Sequence, residues 1–243
     1  MGFVMIIGAK SDIAKSLARK YADHGYDLYL AARNSSEMKD FASDIHIRSK
    51  KKVKCIELDI LNRPSHQKFY DDLEEKPLGV ITAVGYLGDQ LKAQNEIGEA
   101  EKIIHTNFTG LVSILNIIAG DFEKRKSGFI IGISSVAGDR GRKSNYLYGA
   151  SKAAFTTYLS GLRNRLFGSN ITVLTVKPGY VATKMTQGMD LPKILTAQSD
   201  EAAEDILKAQ LKGKDIIYTK WMWKWIAMII RKIPERIFKG MSL

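Results

Sequence analysis

The sequence predicts an α/β fold in a single domain, in which seven parallel strands form a doubly wound sheet. Short apolar runs rich in Val and Ile alternate along the chain with longer amphipathic segments. This alternation is typical of a parallel sheet covered by helices on both faces. The length of 243 residues suits one such domain. With right-handed crossovers between the strands, the arrangement is Rossmann-like.

Strands are predicted at residues 3–7, 27–31, 54–57, 79–84, 128–133, 171–176 and 215–218. Helices are predicted at residues 12–24, 36–49, 65–75, 99–121, 145–167 and 200–212. No internal repeat or Pro/Gly/Ser-rich linker interrupts the body of the chain. We therefore assign residues 1–220 to one catalytic domain and residues 221–243 to a basic, amphipathic C-terminal tail.

Composition limits the class of protein further. The first ten residues, MGFVMIIGAK, lack basic flanks and a cleavage pattern, so we expect a strand there and not a signal peptide. No apolar run reaches the ~18–20 residues that span a bilayer. The single cysteine, Cys55, excludes a disulfide framework and a cysteine-ligated metal site, and it indicates a reducing, cytoplasmic environment.

Neither a metal nor a nucleic acid is predicted as a partner. His24, His46, His66 and His105 are scattered without ligand spacing, so we expect them at helix surfaces. The formal net charge is +11, which brings nucleic acid into consideration. However, no nucleic-acid motif is present, and basic residues of the body are not interleaved with exposed aromatic residues.

The segment Tyr148-Gly-Ala-Ser-Lys152 follows Ser135 by thirteen residues and carries the strongest functional signal. Side chains at i and i+4 share one helix face, so Lys152 should favour the phenolate and lower the pKa of Tyr148 from its usual ~10. Ser135 closes a predicted strand, at the sheet edge where ligands bind in open α/β folds. A hydroxyl and a phenol converging on one carbonyl oxygen can support hydride transfer to or from carbon.

These segments resemble the catalytic segments of the short-chain dehydrogenase/reductase family, and the resemblance extends over roughly residues 1–220. Asn107 in HTNFTG resembles the family's fourth catalytic position, a helix asparagine that supports a proton-relay water. The resemblance therefore implies the catalytic set Asn107, Ser135, Tyr148 and Lys152, of which the last two also contact the cofactor. The segment KPGYVAT resembles the part of the family that closes over the nicotinamide, which implies cofactor contacts from Pro178, Gly179, Val181 and Thr183.

The loop GAKSDIA, residues 8–14, follows the first predicted strand and opens the first predicted helix. Backbone N–H groups and the positive end of the dipole at a helix start suit a pyrophosphate. The family has glycines where this chain has Asp12 and Ala14. We expect Asp12 either to turn away from the phosphates or to act as the helix N-cap. The cofactor contacts predicted in this loop are Gly8, Lys10, Ser11, Asp12 and Ile13.

The end of the second predicted strand, LAARN, bears on the choice between NAD and NADP. A carboxylate at this place binds the ribose 2′-hydroxyl of NAD, but LAARN contains no acid. Arg33 can bind a 2′-phosphate through its guanidinium, and Lys10 is a second cation within reach. We therefore predict NADP, with NAD as the alternative. The family resemblance adds Asp59 and Ile60 as contacts at the adenine edge.

The family's NNAG segment is replaced here by Thr82-Ala-Val-Gly85, which retains Gly85 as a cofactor contact. Together with the GAKSDIA loop, this departure resembles a subgroup of bacterial reductases that act on keto-sugars attached to polyprenyl phosphate, the decaprenylphosphoryl 2-keto-pentose reductases. The resemblance implies a lipid-linked carbonyl substrate. We also expect a homodimer or a homotetramer.

The tail contains all three tryptophans within five residues, followed by a basic, apolar stretch. Pro234 should break the helix into two amphipathic pieces. Residues 221–239 either lie at a membrane surface, on its inner face, or pack on the same subunit or a neighbour. The apolar face predicted at helical spacing comprises Met222, Trp225, Ile226, Ile229, Ile233, Ile237 and Phe238.

The predicted function is NADP(H)-dependent oxidation or reduction at a carbonyl or secondary alcohol, with Tyr148 as the general acid in reduction. Ser135 is expected to orient the carbonyl and to stabilise charge on its oxygen. One alternative keeps this chemistry on a soluble or carrier-bound 3-oxoacyl or other keto substrate. Another is a non-catalytic, nucleotide-sensing interaction protein, since fold does not fix function. The intact catalytic set argues against that second alternative.

Overall fold

A central sheet of seven parallel strands organises the computed structural model, which describes residues 2–241. Its spatial order is β3-β2-β1-β4-β5-β6-β9, and every neighbouring pair is parallel. The nine strands of the described chain are β1 (Phe3–Ile7), β2 (Asp27–Ala32), β3 (Val53–Glu57), β4 (Gly79–Thr82), β5 (Gly128–Ile133), β6 (Ile171–Pro178), β7 (Tyr180–Val181), β8 (Thr196–Ala197) and β9 (Ile216–Thr219). The short strands β7 and β8 pair separately.

The predicted doubly wound sheet is confirmed, and each predicted strand overlaps an observed one. The helices are α1 (Asp12–Asp23), α2 (Lys39–Ser49), α3 (His66–Asp71), α4 (Gln90–Ala93), α5 (Ile97–Ile104), α6 (Gly110–Arg125), α7 (Tyr146–Leu166), α8 (Ser199–Leu211), α9 (Met222–Lys232) and α10 (Glu235–Phe238). The prediction missed α4, which is a single turn capped by Asp89, and the β7–β8 pair. Elements this short leave too little periodicity to detect.

Two apolar layers cover the sheet. On one face, α1, α2 and α8 pack against strand side chains such as Ile6 and Leu30. On the other face, α3, α6 and α7 pack against Met5 and Ile130. Because β1 and β4 are neighbours while the chain leaves β1 toward β2, the strand order reverses between them. This reversal opens a crevice at the carboxyl ends of the strands, where ligands bind in such sheets.

The continuous helical stretch Ile97–Arg125 is the one described helix long and apolar enough to cross a membrane by length and composition. Within it, side chains such as Leu111, Ile114 and Ile118 are fully buried against the sheet and α7. Core helices of globular proteins pass the same test, so this finding is weak evidence for a membrane span.

The tail packs partly on its own subunit. Pro234 separates α9 from α10, as predicted. The side chains of Trp223 and Ala227 are buried. Trp225 and Ile229, which belong to the predicted apolar face, are exposed. The burial of Trp223 was not predicted, because helical spacing alone does not show which side of a helix meets the body.

Candidate active site

Ser135 lies just beyond the carboxyl end of β5. Its extended backbone precedes a 3₁₀ turn over Val136–Gly138. The Ser135 Oγ accepts a hydrogen bond from the backbone N–H of Ala137 at 3.1 Å, which fixes the side chain. Because that bond uses an oxygen lone pair, the hydroxyl hydrogen remains available to donate to a carbonyl oxygen.

Tyr148 and Lys152 lie one turn apart near the start of α7. The Lys152 side chain is buried, and its Nζ donates to the carbonyl oxygens of Ile133 at 3.1 Å and Val84 at 3.3 Å. Its Nζ lies 5.7 Å from the centroid of the Tyr148 ring. Lys152 therefore connects α7 to the ends of β4 and β5 and holds a cation beside the phenol.

Burial controls the pKa values of this pair. It raises the pKa of Tyr148 to about 12, and contact with the Ser135 side chain opposes the rise only in part. Burial also lowers the pKa of Lys152 to about 8. The expectation that the pKa of Tyr148 is lowered is wrong for this arrangement, because desolvation of the buried phenolate is the largest effect and raises it. A phenol with this pKa is protonated at neutral pH, as a proton donor must be.

Asn107 is buried in a π-helical turn, His105–Thr109, between α5 and α6. Its Oδ1 accepts from the backbone N–H of Tyr86 at 3.0 Å, and its Nδ2 donates to the Tyr86 carbonyl at 2.7 Å and to a carbonyl of the preceding turn at 2.8 Å. An ideal Cβ on Gly85 would lie 3.9 Å from Asn107 Oδ1 and 4.0 Å from Lys152 Nζ. Asn107 thus fixes the segment after β4 beside Lys152.

The loop after β1 approaches the end of β4 closely at Gly8. Gly8 has φ +82°, and an ideal Cβ there would lie 2.8 Å from backbone atoms of Ala83 and Val84. Both the left-handed conformation and the contact require glycine. This close approach brings the start of α1 to the crevice between β1 and β4.

The N-cap of α1 is Ser11, whose Oγ accepts from the backbone N–H of Ala14 at 3.2 Å. Asp12 is the first helical residue, so the expectation that it could be the N-cap is wrong. Its Oδ2 accepts from the backbone N–H of Lys184 at 2.8 Å. The carboxylate is thereby engaged by a segment on the opposite side of the crevice.

The far end of the crevice contains more acid than the sequence suggested. Lys10 forms an ion pair of 2.7 Å with Glu37. Glu57, at the end of β3, accepts from the backbone N–H groups of the two residues that follow Arg33, each at 2.8 Å. LAARN itself contains no acid, but Glu37, three residues after it, and Glu57 of β3 supply carboxylates close to it. Arg33 itself is exposed and has no ion pair within the described part of the chain.

Asp59 does not line either of the two main cavities described below. Its Oδ1 accepts from the backbone N–H of Leu61 at 3.0 Å and closes a local turn. Its carbonyl oxygen lies 3.3 Å from Nε2 of His66, which is buried and also contacts Ser113 Oγ at 2.9 Å. The prediction that His66 lies at a helix surface is therefore wrong. Ile60 is buried and lines the far end of the crevice.

Two adjoining cavities of about 410 and 560 Å³ occupy the crevice. They share residues of the loops after β1 and β4, including Lys10, Ser11 and Gly85. Of the residues predicted for the site, Asn107 and Asp59 line neither cavity. The others do so: Lys10, Ser11, Asp12, Ile13, Gly85, Ser135, Tyr148, Lys152, Pro178, Gly179, Val181 and Thr183 line the first, and Gly8, Lys10, Ser11, Arg33, Ile60 and Gly85 line the second.

The tail supports one wall of the first cavity. An ideal Cβ on Gly179 would overlap the Trp223 ring, at 1.9 Å from Nε1, so only glycine allows this contact. The Trp223 Nε1–H donates to the carbonyl of Leu195 at 2.9 Å, and its ring meets the cavity-lining Tyr180 edge-on at 5.1 Å between centroids. The predicted nicotinamide segment therefore rests on a tryptophan from the tail.

The loop between Ser135 and α7 is held by an ion pair and hydrogen bonds to three elements, β6, β9 and α9. Asp139 forms a buried ion pair with Lys177 of β6 at 2.5 Å and accepts from Tyr218 Oη of β9 at 3.1 Å. The adjacent Arg140 donates to the carbonyls of Ile230 and Ile233, at 2.6 and 2.5 Å, and so caps the C-terminus of α9. The loop between Ser135 and α7 is thus directly connected to the tail.

Several cavity residues were missed by the sequence analysis. The apolar ones are Leu87, Tyr180, Met185 and Met189, and the polar ones are Arg142 and Asn145. Arg142 and Asn145 lie between the two predicted catalytic segments, and this location was the available signal. The others lie on segments whose orientation depends on tertiary packing.

Comparison with known proteins places this geometry in a family. The family model described as short chain dehydrogenase matches residues 2–193. An uncharacterized oxidoreductase of Mycobacterium tuberculosis is 32% identical over 241 residues, which cover 98% of this chain and 96% of that relative. The 17-beta-hydroxysteroid dehydrogenase type 3 of Rattus norvegicus is 27% identical, with 97% of this chain and 78% of that protein covered.

Among solved structures, a short-chain dehydrogenase from Sphingobium yanoikuyae in complex with NADPH is similar with a TM-score of 0.84 and 23% identity. The similarity covers 97% of each chain, which shows that the whole fold is shared. The chain therefore belongs to the short-chain dehydrogenase family and is an NAD(P)-dependent oxidoreductase.

Proposed function

We propose that the protein is an NADP(H)-dependent carbonyl reductase, or alcohol dehydrogenase in the reverse direction, which uses Tyr148, Lys152, Ser135 and Asn107. The observation that carries this proposal is the convergence of Ser135, Tyr148 and Lys152 on the same cavity as the loop after β1. A proton donor, an orienting hydroxyl and a cation then lie at one end of a crevice whose other end suits a dinucleotide.

The crevice fits the cofactor by its shape and its donors. The Gly8 close approach leaves the α1 N-terminus open toward the cavities, where Ile13 offers its backbone N–H group to a pyrophosphate. Arg33 and Lys10 would hold the 2′-phosphate, and Ile60 would contact the adenine. Pro178, Gly179, Val181 and Thr183 would cover the nicotinamide. The relative from Sphingobium yanoikuyae, which binds NADPH, supports the choice of NADP, and NAD is the alternative.

The residues of the chain supply proton transfer and orientation. When bound, the nicotinamide supplies or accepts a hydride at the carbon of the substrate. Tyr148, protonated at neutral pH, donates its proton to the carbonyl oxygen during reduction. Ser135 donates a hydrogen bond to that oxygen and stabilises its developing charge. Lys152 supplies donors for the ribose hydroxyls, and Asn107 holds the segment around Gly85 and supports a relay water.

We favour a substrate with a substantial apolar part, in the class of lipid-linked keto-sugars. Leu87, Met185 and Met189 give the catalytic cavity an apolar lining. The rat relative is named for a hydroxysteroid, so a bulky apolar substrate is compatible with this kind of chain. A soluble or carrier-bound 3-oxoacyl substrate is the second candidate. The intact catalytic set disfavours the third, a nucleotide-sensing interaction protein, because a sensor has no use for Tyr148.

The outer face of the tail supports contact with the inner face of a membrane by a cytoplasmic enzyme. Trp221, Trp225 and Ile229 follow one another at i+4 spacing and are 71%, 51% and 60% exposed. Residues 221–239 contain five basic residues and a single acidic one, Glu235. Exposed tryptophans beside cations suit a lipid headgroup layer. We assign residues 221–243 to a tail, of which residues 242–243 lie outside the described part. Within residues 221–241 the tail has two faces, and the inner one packs on the catalytic domain. The expected homodimer or homotetramer is part of this proposal.

Cofactor titration and turnover together test the function. The purified protein should bind NADPH more tightly than NADH and should oxidise NADPH in the presence of a ketone panel that includes keto-sugar lipids and 3-oxoacyl thioesters. Tight NADPH binding without turnover of any ketone would favour the nucleotide-sensing alternative. Failure to bind either cofactor would overturn the proposal.

Sedimentation with vesicles tests the membrane face. The protein should co-sediment with anionic vesicles and be released in part as salt rises, because screening weakens the charges over about 10 Å at 0.1 M salt while the apolar contribution persists. The variant Trp225→Ala should bind vesicles less strongly and keep its cofactor affinity. If the full-length protein does not co-sediment with anionic vesicles at low salt, this membrane contact is excluded.

A further inference from the structure

Two polar atoms in the catalytic cavity are buried without a hydrogen-bond partner. They are Nε of Arg142 and Oδ1 of Asn145, and both residues line the cavity that contains Ser135 and Tyr148. In the described chain only two other side-chain atoms share this condition, and neither of their residues lines this cavity. A buried polar atom without a partner is unfavourable, so most buried polar atoms find one. A ligand of this cavity is the natural partner.

Asn145 is the N-cap residue of α7, but its side chain does not cap the helix. Asn145 directly precedes α7, where an asparagine normally caps the first backbone N–H groups. Its side chain makes no cap hydrogen bond here. Gln90 supplies a capping hydrogen bond instead, because its Oε1 accepts from the backbone N–H of Leu147 at 3.0 Å. The Asn145 oxygen therefore has no structural role in α7 and remains available within the cavity.

Arg142 differs from the other cations of the cavity. Lys10 is paired with Glu37, and Lys152 donates to two backbone carbonyls. Lys184 also lines the cavity, but it is exposed, whereas Nε of Arg142 is buried. Arg142 has no carboxylate partner within residues 2–241. Asp12, the one acid that lines the cavity in the described chain, already accepts from the backbone of Lys184. A guanidinium in this state suits a planar or tetrahedral anion, which it binds with two parallel donors.

The place of Arg142 in the chain assigns it to the substrate and not to the cofactor. It lies on the loop that joins Ser135 to Tyr148, whereas the phosphate-binding groups of the proposed cofactor site are on the loop after β1 and at the end of β2. Leu87, Met185 and Met189 line the same cavity as Arg142. The cavity therefore combines a proton donor, an apolar surface and a partly buried guanidinium without a carboxylate partner in the described chain.

We propose that Arg142 and Asn145 form a subsite for an anionic oxygen group, a phosphate ester or a carboxylate, carried by the carbonyl substrate. Arg142 donates to the anion, and Asn145 Oδ1 accepts from a hydroxyl of the substrate near it. This inference rests on the proposed function and narrows its substrate to amphipathic carbonyl compounds with an anionic group. Phosphate linkages of polyprenyl sugars and of carrier-bound acyl groups share this chemistry.

Calorimetric titration with phenyl phosphate and phenol tests the subsite without requiring turnover. Protein saturated with NADP⁺ is used, because the cofactor then occupies the phosphate-binding loop after β1. Wild-type protein should bind phenyl phosphate more tightly than phenol. In Arg142→Gln this preference should fall about 10- to 100-fold, the usual effect of losing charge-assisted hydrogen bonds. Arg142→Lys keeps the positive charge but loses the two parallel N–H donors of the guanidinium. This variant should recover part of the preference for phenyl phosphate.

Lys143→Gln is the matched control, because it removes the same charge from the adjacent, exposed residue that does not line the cavity. It should keep the preference for phenyl phosphate. Equal loss in Lys143→Gln and Arg142→Gln, or the absence of any preference in wild-type protein, would overturn the subsite. Thermal unfolding midpoints of all variants show whether a loss reflects misfolding, in which case the Arg142→Lys titration decides.

Kinetics supply the second readout and separate the subsite from the proposed function. The ratio of kcat/KM for para-acetylphenyl phosphate to kcat/KM for acetophenone should fall in Arg142→Gln by the same 10- to 100-fold. If NADP⁺ does not bind, the proposed function fails, and the same titration of free protein still decides the subsite. Competitive inhibition by farnesyl phosphate or by phosphopantetheine then distinguishes a lipid from a carrier as the source of the anion.

Discussion

Replacing Trp223 by Ala should both destabilise the protein and impair its catalytic cavity. Trp223 is 3% exposed, overlaps the space that a Cβ on Gly179 would need, and donates to the Leu195 carbonyl. Removing a buried tryptophan typically costs about 3–5 kcal/mol through lost contacts and the cavity left behind. In a chain of this size, about 1 kcal/mol corresponds to 2–4 °C, so the unfolding midpoint should fall by roughly 6–20 °C.

The functional consequence follows from what Trp223 supports. Its ring backs Gly179 and meets Tyr180 edge-on, and both of these residues line the catalytic cavity. Without that support the segment should move more freely, so kcat/KM should fall even at temperatures where the variant is folded. Calorimetry gives the midpoint, and NADPH oxidation with a substrate ketone gives kcat/KM.

The exposed Trp225 provides the comparison that could refute this reasoning. Trp225→Ala removes the same side chain from a position that is 51% exposed, so its effect on stability should stay within ~0.5 kcal/mol. It should instead weaken binding to anionic vesicles. Similar midpoints for the two variants would show that Trp223 does not pack as described, and the tail would then be a separate segment.

Three further outcomes are expected at the cofactor end of the crevice and at Lys152. Arg33→Ala should weaken the binding of NADPH about ten-fold or more and the binding of NADH little, as measured by titration of both cofactors. Equal losses of affinity would exclude a 2′-phosphate contact. Glu37→Gln should strengthen the binding of NADPH relative to NADH, because the substitution frees Lys10 from its ion pair. An unchanged ratio of the two affinities would show that Lys10 does not reach the 2′-phosphate. Burial lowers the pKa of Lys152 from 10.5 to about 8, so the unfolded chain binds more protons between these values and the contribution of Lys152 to stability rises with pH across that window. The free energy of unfolding of wild-type protein relative to Lys152→Met, measured by urea denaturation, should therefore increase from pH 8 to pH 10; parallel profiles would contradict the shift.

The fold was predictable because local pattern and global architecture agree. Buried strands such as Phe3–Ile7 and Gly128–Ile133 are continuous apolar runs, and nearly all lie where these runs predicted them. The positions of the proposed catalytic residues were predictable for a related reason. Tyr148 and Lys152 are one turn apart by helix geometry alone, and Ser135 sits at a strand end that the sheet topology places opposite them.

The errors share one physical cause, which is that they depend on partners distant in the chain. The carboxylate of Asp12 is engaged by the backbone of Lys184, and Glu37 pairs with Lys10 across the loop after β2. Burial of Trp223 depends on Gly179. The pKa of Tyr148 was predicted from its sequence neighbour, but desolvation by the whole cavity is the larger effect. Periodicity and spacing carry no information about such contacts.

The proton transfer from Tyr148 is the central claim, and turnover of Tyr148→Phe tests it most directly. The substitution removes the transferable proton and keeps the ring, so the rate of NADPH-dependent ketone reduction should fall by ~10²–10⁴-fold, the range typical of a lost general acid. The affinity for NADPH should change little, because the phosphate-binding groups are untouched. Near-normal turnover by the Phe variant, on any ketone that the wild-type protein reduces, would contradict the assignment.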